Sequence, residues 1–215
     1  MVNPSSAAHI DALVQRIPAL FPLRASIHDA LELLVCCIAN GGTIMVCGNG
    51  GSAADAEHIV GELMKGFLLP RQLTPAMREA LASAFPKEGA LLSGALQRGI
   101  RAVSLVNGVA LPTAFANDVN AECAFAQQVL ALGRPADLVW GISTSGMSAN
   151  VNHAFRVARA FGMKTLGLTG KNGGDMAALC DVELRMPASE TYLIQELHLP
   201  VYHTLCAALE AELFG

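Results

Sequence analysis

The chain is 215 residues long, 53% hydrophobic, 15% charged and 5% aromatic, with a formal net charge of −4. That length suits one well-filled domain, and its scattered Lys and Arg form no basic stripe, which argues against direct nucleic-acid binding. The longest apolar run, LELLVCCIA at 31–39, falls far short of the roughly 20 residues that span a membrane. So little charge predicts that much of the exterior is hidden between subunits. The opening MVNPSSAAHIDALVQR has neither the basic start nor the continuous apolar stretch of a secretory signal, which predicts a cytoplasmic protein. Cys36, Cys37, Cys47, Cys123, Cys180 and Cys206 include no CxxC pair and sit mostly in apolar surroundings, so they read as buried thiols.

In chain order, a helix is expected over about 5–18. A second lies in ASIHDALELLVCCIAN, where Ile27, Ala30, Leu31, Leu34 and Ile38 share a stripe and Gly41-Gly42 supplies the stop. Residues 1–40 thus form an N-terminal helical segment suited to packing against copies of itself. Five runs look like strands buried on both faces: 43–48, 102–106, 137–143, 164–170 and 182–186. Helix-period segments separate them, so the fold class is α/β, one domain over 1–215 built on a five-stranded parallel sheet covered on both sides. The carboxyl ends of such strands gather along one edge, where α/β sheets place their ligands. Residues 70–99 are longer than an ordinary connection. Within them TPAMREALASAF offers Thr74 as N-cap and Pro75 at the first helical position, marking a helical insertion that suits a lid, an interface element or a surface embellishment.

Three strand-to-helix turns are candidates for chemistry. In GNGGSAADAEH the glycines let backbone N–H groups approach an anion at a helix start. The stretch lacks the third glycine of GxGxxG and the GK[ST] of a P-loop, which disfavours a dinucleotide or nucleoside triphosphate; the plainer reading is a tight turn with Ser52 as N-cap. In GISTSGMSANV, Ser143, Thr144, Ser145 and Ser148 place four hydroxyls within six residues at a helix start, more than capping needs and suited to a phosphate monoester. The third turn, LTGKNGGDMA at 168–177, reads as structural.

His58 and Glu62, four residues apart, share a helix face about 6 Å apart along the axis, spacing that suits two metal ligands, a catalytic pair or a solvated surface pair. The terminal helix at 190–213 carries Gln195, His198 and His203. Gln195 and His203 are separated by about 12 Å of rise, near the limit for reaching one ion unless Pro200 bends the helix or different subunits contribute them. Spacing alone makes His198 and His203 surface or interface histidines.

Taken together, GNGGSAADAEHIVGEL (48–63), ANDVNAECAFAQQV (116–129), GISTSGMSANV (141–151), LTGKNGGDMA (168–177) and IQELHLPVYH (194–203) resemble the SIS (sugar isomerase) domain, and within it the phosphoheptose isomerases. The resemblance implies a three-layer α/β/α fold and a zinc ion held by His58, Glu62, Gln195 and His203. It implies substrate contacts at Asn49, Gly50, Gly51, Ser52, Glu62, Asn117, Asp118, Ser143, Thr144, Ser145, Ser148 and Gln195. It also implies a homotetramer with active sites between subunits. The reaction expected of it converts sedoheptulose 7-phosphate to an aldose phosphate through an enediol, with Glu62 moving the carbon-bound proton and His203 serving the oxygens. The chain departs from the pattern in the length between residue 66 and the strand at 102, in Gly66 where Arg is common, and in Tyr192-Leu193 before Ile-Gln. Isomerisation of another sugar phosphate, or a non-catalytic role as a sugar-phosphate sensor or as a replication-initiator-binding relative, are the competing expectations; the set His58, Glu62, Gln195 and His203 favours an enzyme.

Overall fold

The computed structural model describes residues 3–215; the first two residues of the expected segment 1–40 lie outside them. The chain opens with α1 (Pro4–Arg16), a 3-10 turn (Pro18–Leu23) and α2 (Arg24–Ala39). Asn3 caps α1 by accepting from the Ser6 N–H, and Pro4 occupies the first turn, where a missing N–H costs nothing. The remaining elements are β1 (Ile44–Gly48), α3 (Gly51–Met64), α4 (Pro75–Ala84), α5 (Gly89–Ala95), β2 (Ala102–Ser104), α6 (Ala110–Phe115), α7 (Ala124–Leu132), β3 (Leu138–Ile142), α8 (Ala149–Ala160), β4 (Lys164–Thr169), β5 (Val182–Arg185) and α9 (Thr191–Phe214).

All five strands pair in parallel in the order β2-β1-β3-β4-β5. β1 and β3 are buried along their whole length, as their unbroken apolar runs require. The expectation of burial on both faces fails at β2 and β5, because these are the sheet edges and each has only one flanking strand. One face is covered by α1, α2, α3 and α9, whose Ile10, Leu31, Ile59 and Leu205 pack with Val46, Leu138 and Leu166. The other face carries α7 and α8, with Val129, Val151 and Phe155 against Met45 and Val139.

Ile27, Ala30, Leu31 and Leu34 are buried as the stripe predicts, and they are buried inside this chain against its own core. Thr74 does cap α4, accepting from the Met77 N–H at 3.3 Å. Ser52 does not cap α3: the helix begins at Gly51 with Gly50 as its cap, and Ser52 is buried within the first turn. All six cysteines are free thiols. Burial pushes the Cys47 thiol up to about 12, whereas Cys36, contrary to expectation, is exposed on the outer face of α2. Among the described residues no helix is long and apolar enough to cross a membrane.

Candidate functional site

The order 2-1-3-4-5 reverses direction between β1 and β3, which opens a crevice beyond their carboxyl ends. Gly48 of β1 stands in register with Ile142 of β3, so the turns 49–51 and 143–148 leave the sheet side by side. A reciprocal amide pair ties them: Asn49 Nδ2 donates to Asn150 Oδ1 at 2.8 Å, and Asn150 Nδ2 returns the bond to Asn49 Oδ1 at 2.9 Å. Neither following helix spends a side chain on its cap. Ser148 occupies the N-cap of α8, yet its hydroxyl bonds Ser143 Oγ at 2.9 Å. Ser145 Oγ accepts from the Met147 N–H at 3.2 Å, and Thr144 is half-buried beside it. The N–H groups of two helix starts and a cluster of hydroxyls therefore share one crevice, an arrangement that suits an anion.

The turn at 170–174 fixes the shape of the serine turn. Gly146 has φ +68°, and a β-carbon there would stand 1.9 Å from the Gly173 carbonyl oxygen; Met176 N–H donates to the Gly146 carbonyl at 3.0 Å. The third turn thus braces the serine turn.

The second half of the site lies between α3 and α9, which run side by side in the same direction. His58 and Glu62 project from α3 one turn apart, with His58 Nε2 3.3 Å from Glu62 Oε1. His203 of α9 brings its Nε2 to 3.4 Å from the same His58 atom, across 145 residues of sequence. Lys65 Nζ holds the other Glu62 oxygen at 2.9 Å, and the Glu62 side chain retains 14% exposure. Burial, then His58 and Arg16, hold the His203 imidazole below its ordinary pKa against the opposite pull of Glu62. A cavity of about 330 Å³ beside His203 is lined by His9, Arg16, Phe67, Leu68 and Thr204.

Ligands at about 2.0–2.1 Å from a tetrahedral zinc stand about 3.4 Å from one another. The His58–Glu62 and His58–His203 separations match that edge, and two imidazoles with a carboxylate are the right donor types for zinc. Among the described residues no group of three or more His, Cys, Asp or Glu closes around one ion position. The chain supplies two edges of a ligand set rather than a finished cage.

Gln195 is not brought to these three. Its amide packs on the start of α3, where a β-carbon at Gly51 would stand 2.5 Å from Gln195 Nε2, about two helical turns before His58. α9 continues through Pro200 as a single helix, so the proline does not bring Gln195 and His203 together. Asn117 and Asp118 lie exposed on a π-helical stretch, Ala116–Asn120, joined to each other at 2.8 Å. Among the described residues they make no hydrogen bond to another expected site residue.

His198 corrects the reading from spacing. It is fully buried, with Nε2 3.2 Å from the Thr169 carbonyl oxygen, because it lies with Ile194 and Val201 on the face of α9 turned toward the sheet. Burial lowers its pKa from 6.5 to about 4. The unfolded chain takes up a proton below about 6.5 that the folded chain refuses, so this stabilisation is complete above that pH and is lost on descent toward pH 4. The shift corresponds to about 3 kcal/mol, of which about 2 should disappear between pH 7.5 and 5. Guanidinium unfolding at those two pH values should show this loss in the wild type and little of it in His198→Gln; equal losses in both would show that His198 is not the group responsible.

Sequence reasoning missed several residues that shape the site. Asn150 was legible only as the second position of a helix. Tyr202 touches His58 from its far side and links it to Asp55, with Tyr202 Oη lying 3.1 Å from His58 Nδ1 and 3.2 Å from Asp55 Oδ1. Arg71 and Glu210 form a wholly buried ion pair at 2.6 Å under the end of α3.

Two SIS-domain family models match the chain, at residues 102–210 and 8–98. The phosphoheptose isomerase of Geotalea daltonii is 39% identical over 193 residues, covering 90% of this chain and 87% of the relative. That of Helicobacter pylori is 37% identical over 211 residues, covering 98% and 94%. Among solved structures, the phosphoheptose isomerase of Neisseria gonorrhoeae superposes with TM-score 0.73 at 33% identity over 95% of this chain and 96% of that one. The Francisella tularensis phosphoheptose isomerase gives the same TM-score at 30% identity, covering 95% of each chain. With relatives this similar along nearly its whole length, the chain belongs to the SIS-domain family and, within it, to the phosphoheptose isomerases.

Proposed function

We propose that the protein isomerises sedoheptulose 7-phosphate to D-glycero-D-manno-heptose 7-phosphate through an enediol, supplying heptose for envelope polysaccharide. The observation that carries this reading is the meeting of Glu62, His58 and His203 beside a crevice whose serine hydroxyls are not used up as helix caps. The phosphate is held by Ser143, Thr144, Ser145 and Ser148 with the N-terminus of α8, and the sugar chain by Asn49, Gly50, Gly51, Ser52, Asn117, Asp118 and Gln195. The carboxylate of Glu62 takes the proton from one carbon and returns it to its neighbour, while His203, whose lowered pKa favours the neutral ring, exchanges protons with the two oxygens. His58, Glu62 and His203 would hold a zinc ion; Gln195, the fourth donor that the resemblance implies, lies at Gly51 in this chain and would have to come from another subunit. Bound zinc supplies a Lewis acid that polarises the substrate carbonyl.

The protein acts as a cytoplasmic homotetramer with sites between subunits. In support, α4 and α6 bury no residue within the chain. Leu91, Val109 and Val119 are at least two-thirds exposed, more apolar surface than a monomer of this size gains from displaying. Purified protein supplied with zinc and sedoheptulose 7-phosphate should generate a new anomeric aldose signal in proton NMR. No turnover of this substrate alongside turnover of another sugar phosphate would replace the substrate; no turnover of any would favour a sensor.

A further inference from the structure

We propose that Asn152 is a positioning residue for the phosphate site: its amide holds the Gly146 carbonyl so that the Met147 N–H is aimed at the anion. The proposal deepens the reading of this crevice as the place of the substrate's phosphate and rests on it. Asn152 lies one residue past the stretch 141–151 that carries the resemblance, at the fourth position of α8.

Its neighbours on the buried face of that helix are Val151, Ala154, Phe155 and Ala158, a pattern that asks for an apolar side chain. An amide stands there instead, 2% exposed. Its Nδ2 donates to the Gly146 carbonyl, six residues back, at 3.1 Å, while its Oδ1 has no hydrogen-bond partner among the described residues. Turning the amide over would set oxygen against oxygen at the carbonyl, so the places of the two atoms are fixed. A buried acceptor left unpaired costs at least as much stability as one hydrogen bond returns. Stability therefore does not account for an asparagine here, and what remains is what its nitrogen does to the turn.

The Gly146 carbonyl takes two donors, Asn152 Nδ2 and the Met176 N–H at 3.0 Å. Both come from the buried side, since Gly146, Asn152 and Met176 are enclosed whereas Met147 is 57% exposed. A trans peptide points its C=O and the following N–H in opposite directions. Pinning the carbonyl inward thus turns the Met147 N–H outward, to the crevice. There it meets only Ser145 Oγ among the described residues, at 3.2 Å. The residue before this peptide is a glycine at φ +68°, the type whose backbone swings most freely, so the two donors supply the restraint that a side chain would otherwise give. The Met147 N–H is thereby a preset donor beside the serine hydroxyls, and its bond to a phosphate oxygen would be charge-assisted.

The test compares Asn152→Leu, which removes the donor and the unpaired oxygen at similar volume, with Asn152→Ala, which removes both and leaves a void. Each protein is titrated with inorganic phosphate while the Met147 amide is followed by ¹H–¹⁵N NMR, and KM, kcat and the guanidinium midpoint are measured. In the wild type the Met147 amide proton should move downfield as phosphate binds. Both variants should raise KM and the phosphate Kd together, about 5–30-fold, with kcat held, the mark of lost ground-state binding. Their midpoints should part, Asn152→Leu staying at or above the wild type and Asn152→Ala falling. Wild-type KM and phosphate affinity in both variants, a loss confined to kcat, or a wild-type Met147 amide that ignores phosphate would overturn the proposal. So would a KM rise that follows the midpoint, present in Asn152→Ala and absent in Asn152→Leu. Phosphate binding with the expected Met147 shift, but no turnover of any sugar phosphate, would defeat the isomerase reading and leave the role of Asn152 standing.

Discussion

Glu62→Gln should lower kcat for sugar-phosphate isomerisation by about 10²–10⁴-fold, the usual worth of a positioned proton-transfer group. The substitution keeps the side chain's shape in a position of 14% exposure and removes its negative charge, and with it both the ability to take a proton and the ionic pairing with Lys65. Each oxygen of the native carboxylate has its own partner, His58 on one side and Lys65 on the other, so the group is held in one orientation rather than swept through several. That restraint is what lets one carboxylate lift a proton from one carbon and return it to the next. Turnover in D₂O separates this role from metal binding. Wild-type protein should exchange the substrate's carbon-bound proton for deuterium. The variant should not, even in preparations whose measured zinc content equals that of the wild type. Exchange at the wild-type rate in Glu62→Gln would remove Glu62 as the base.

The parts of this centre that the sequence displays are those carried by local patterns. β1 and β3 appear as uninterrupted apolar runs because both their faces are covered, and the two anion turns appear because glycines and hydroxyls cluster where a strand must become a helix. His58 and Glu62 are legible as a pair since i,i+4 spacing is a property of one helix. What the sequence hides is the rotation of one helix against another. In ELHLPVYH the exposed side carries Leu199 as well as Glu196, so apolar and polar residues do not separate into faces from which to phase the histidines. His198 consequently turns out buried and His203 half-buried, although both look alike in the sequence. Gln195 is hidden for the same reason: its register against α3 puts it at Gly51 rather than at His58. Arg71 belongs to no local pattern in GFLLPRQLTP, and only the carboxylate of Glu210 arriving from α9 makes its burial tolerable.

Glu210→Gln and Arg71→Met should each destabilise the fold by about 3–5 kcal/mol, the cost of leaving one member of a buried ion pair alone. Both side chains are 0% exposed and meet at 2.6 Å. Glu210 also accepts from the N–H groups of Phe67, Leu68 and Leu69, and Arg71 donates to the carbonyls of Glu62 and Leu63. The pair thus closes the end of α3 and binds the following loop to α9. For that reason replacing both partners with apolar residues should not restore stability, since the N–H groups of Phe67, Leu68 and Leu69 would still lose their acceptor. Burial alone would raise the Glu210 pKa, but the three N–H groups and Arg71 outweigh it and hold the carboxyl below its ordinary value. A carboxylate depressed in the folded state contributes stability above the unfolded pKa and loses it as the pH falls through the folded one. Removing Arg71 raises the folded pKa toward the ordinary value, so Arg71→Met should unfold at a higher pH than the wild type during acid titration. The same arginine caps the backbone of Glu62, so the surviving folded fraction of Arg71→Met should lose kcat more than it gains in KM. A variant with wild-type denaturation midpoint and wild-type acid limb would show that the pair carries neither load.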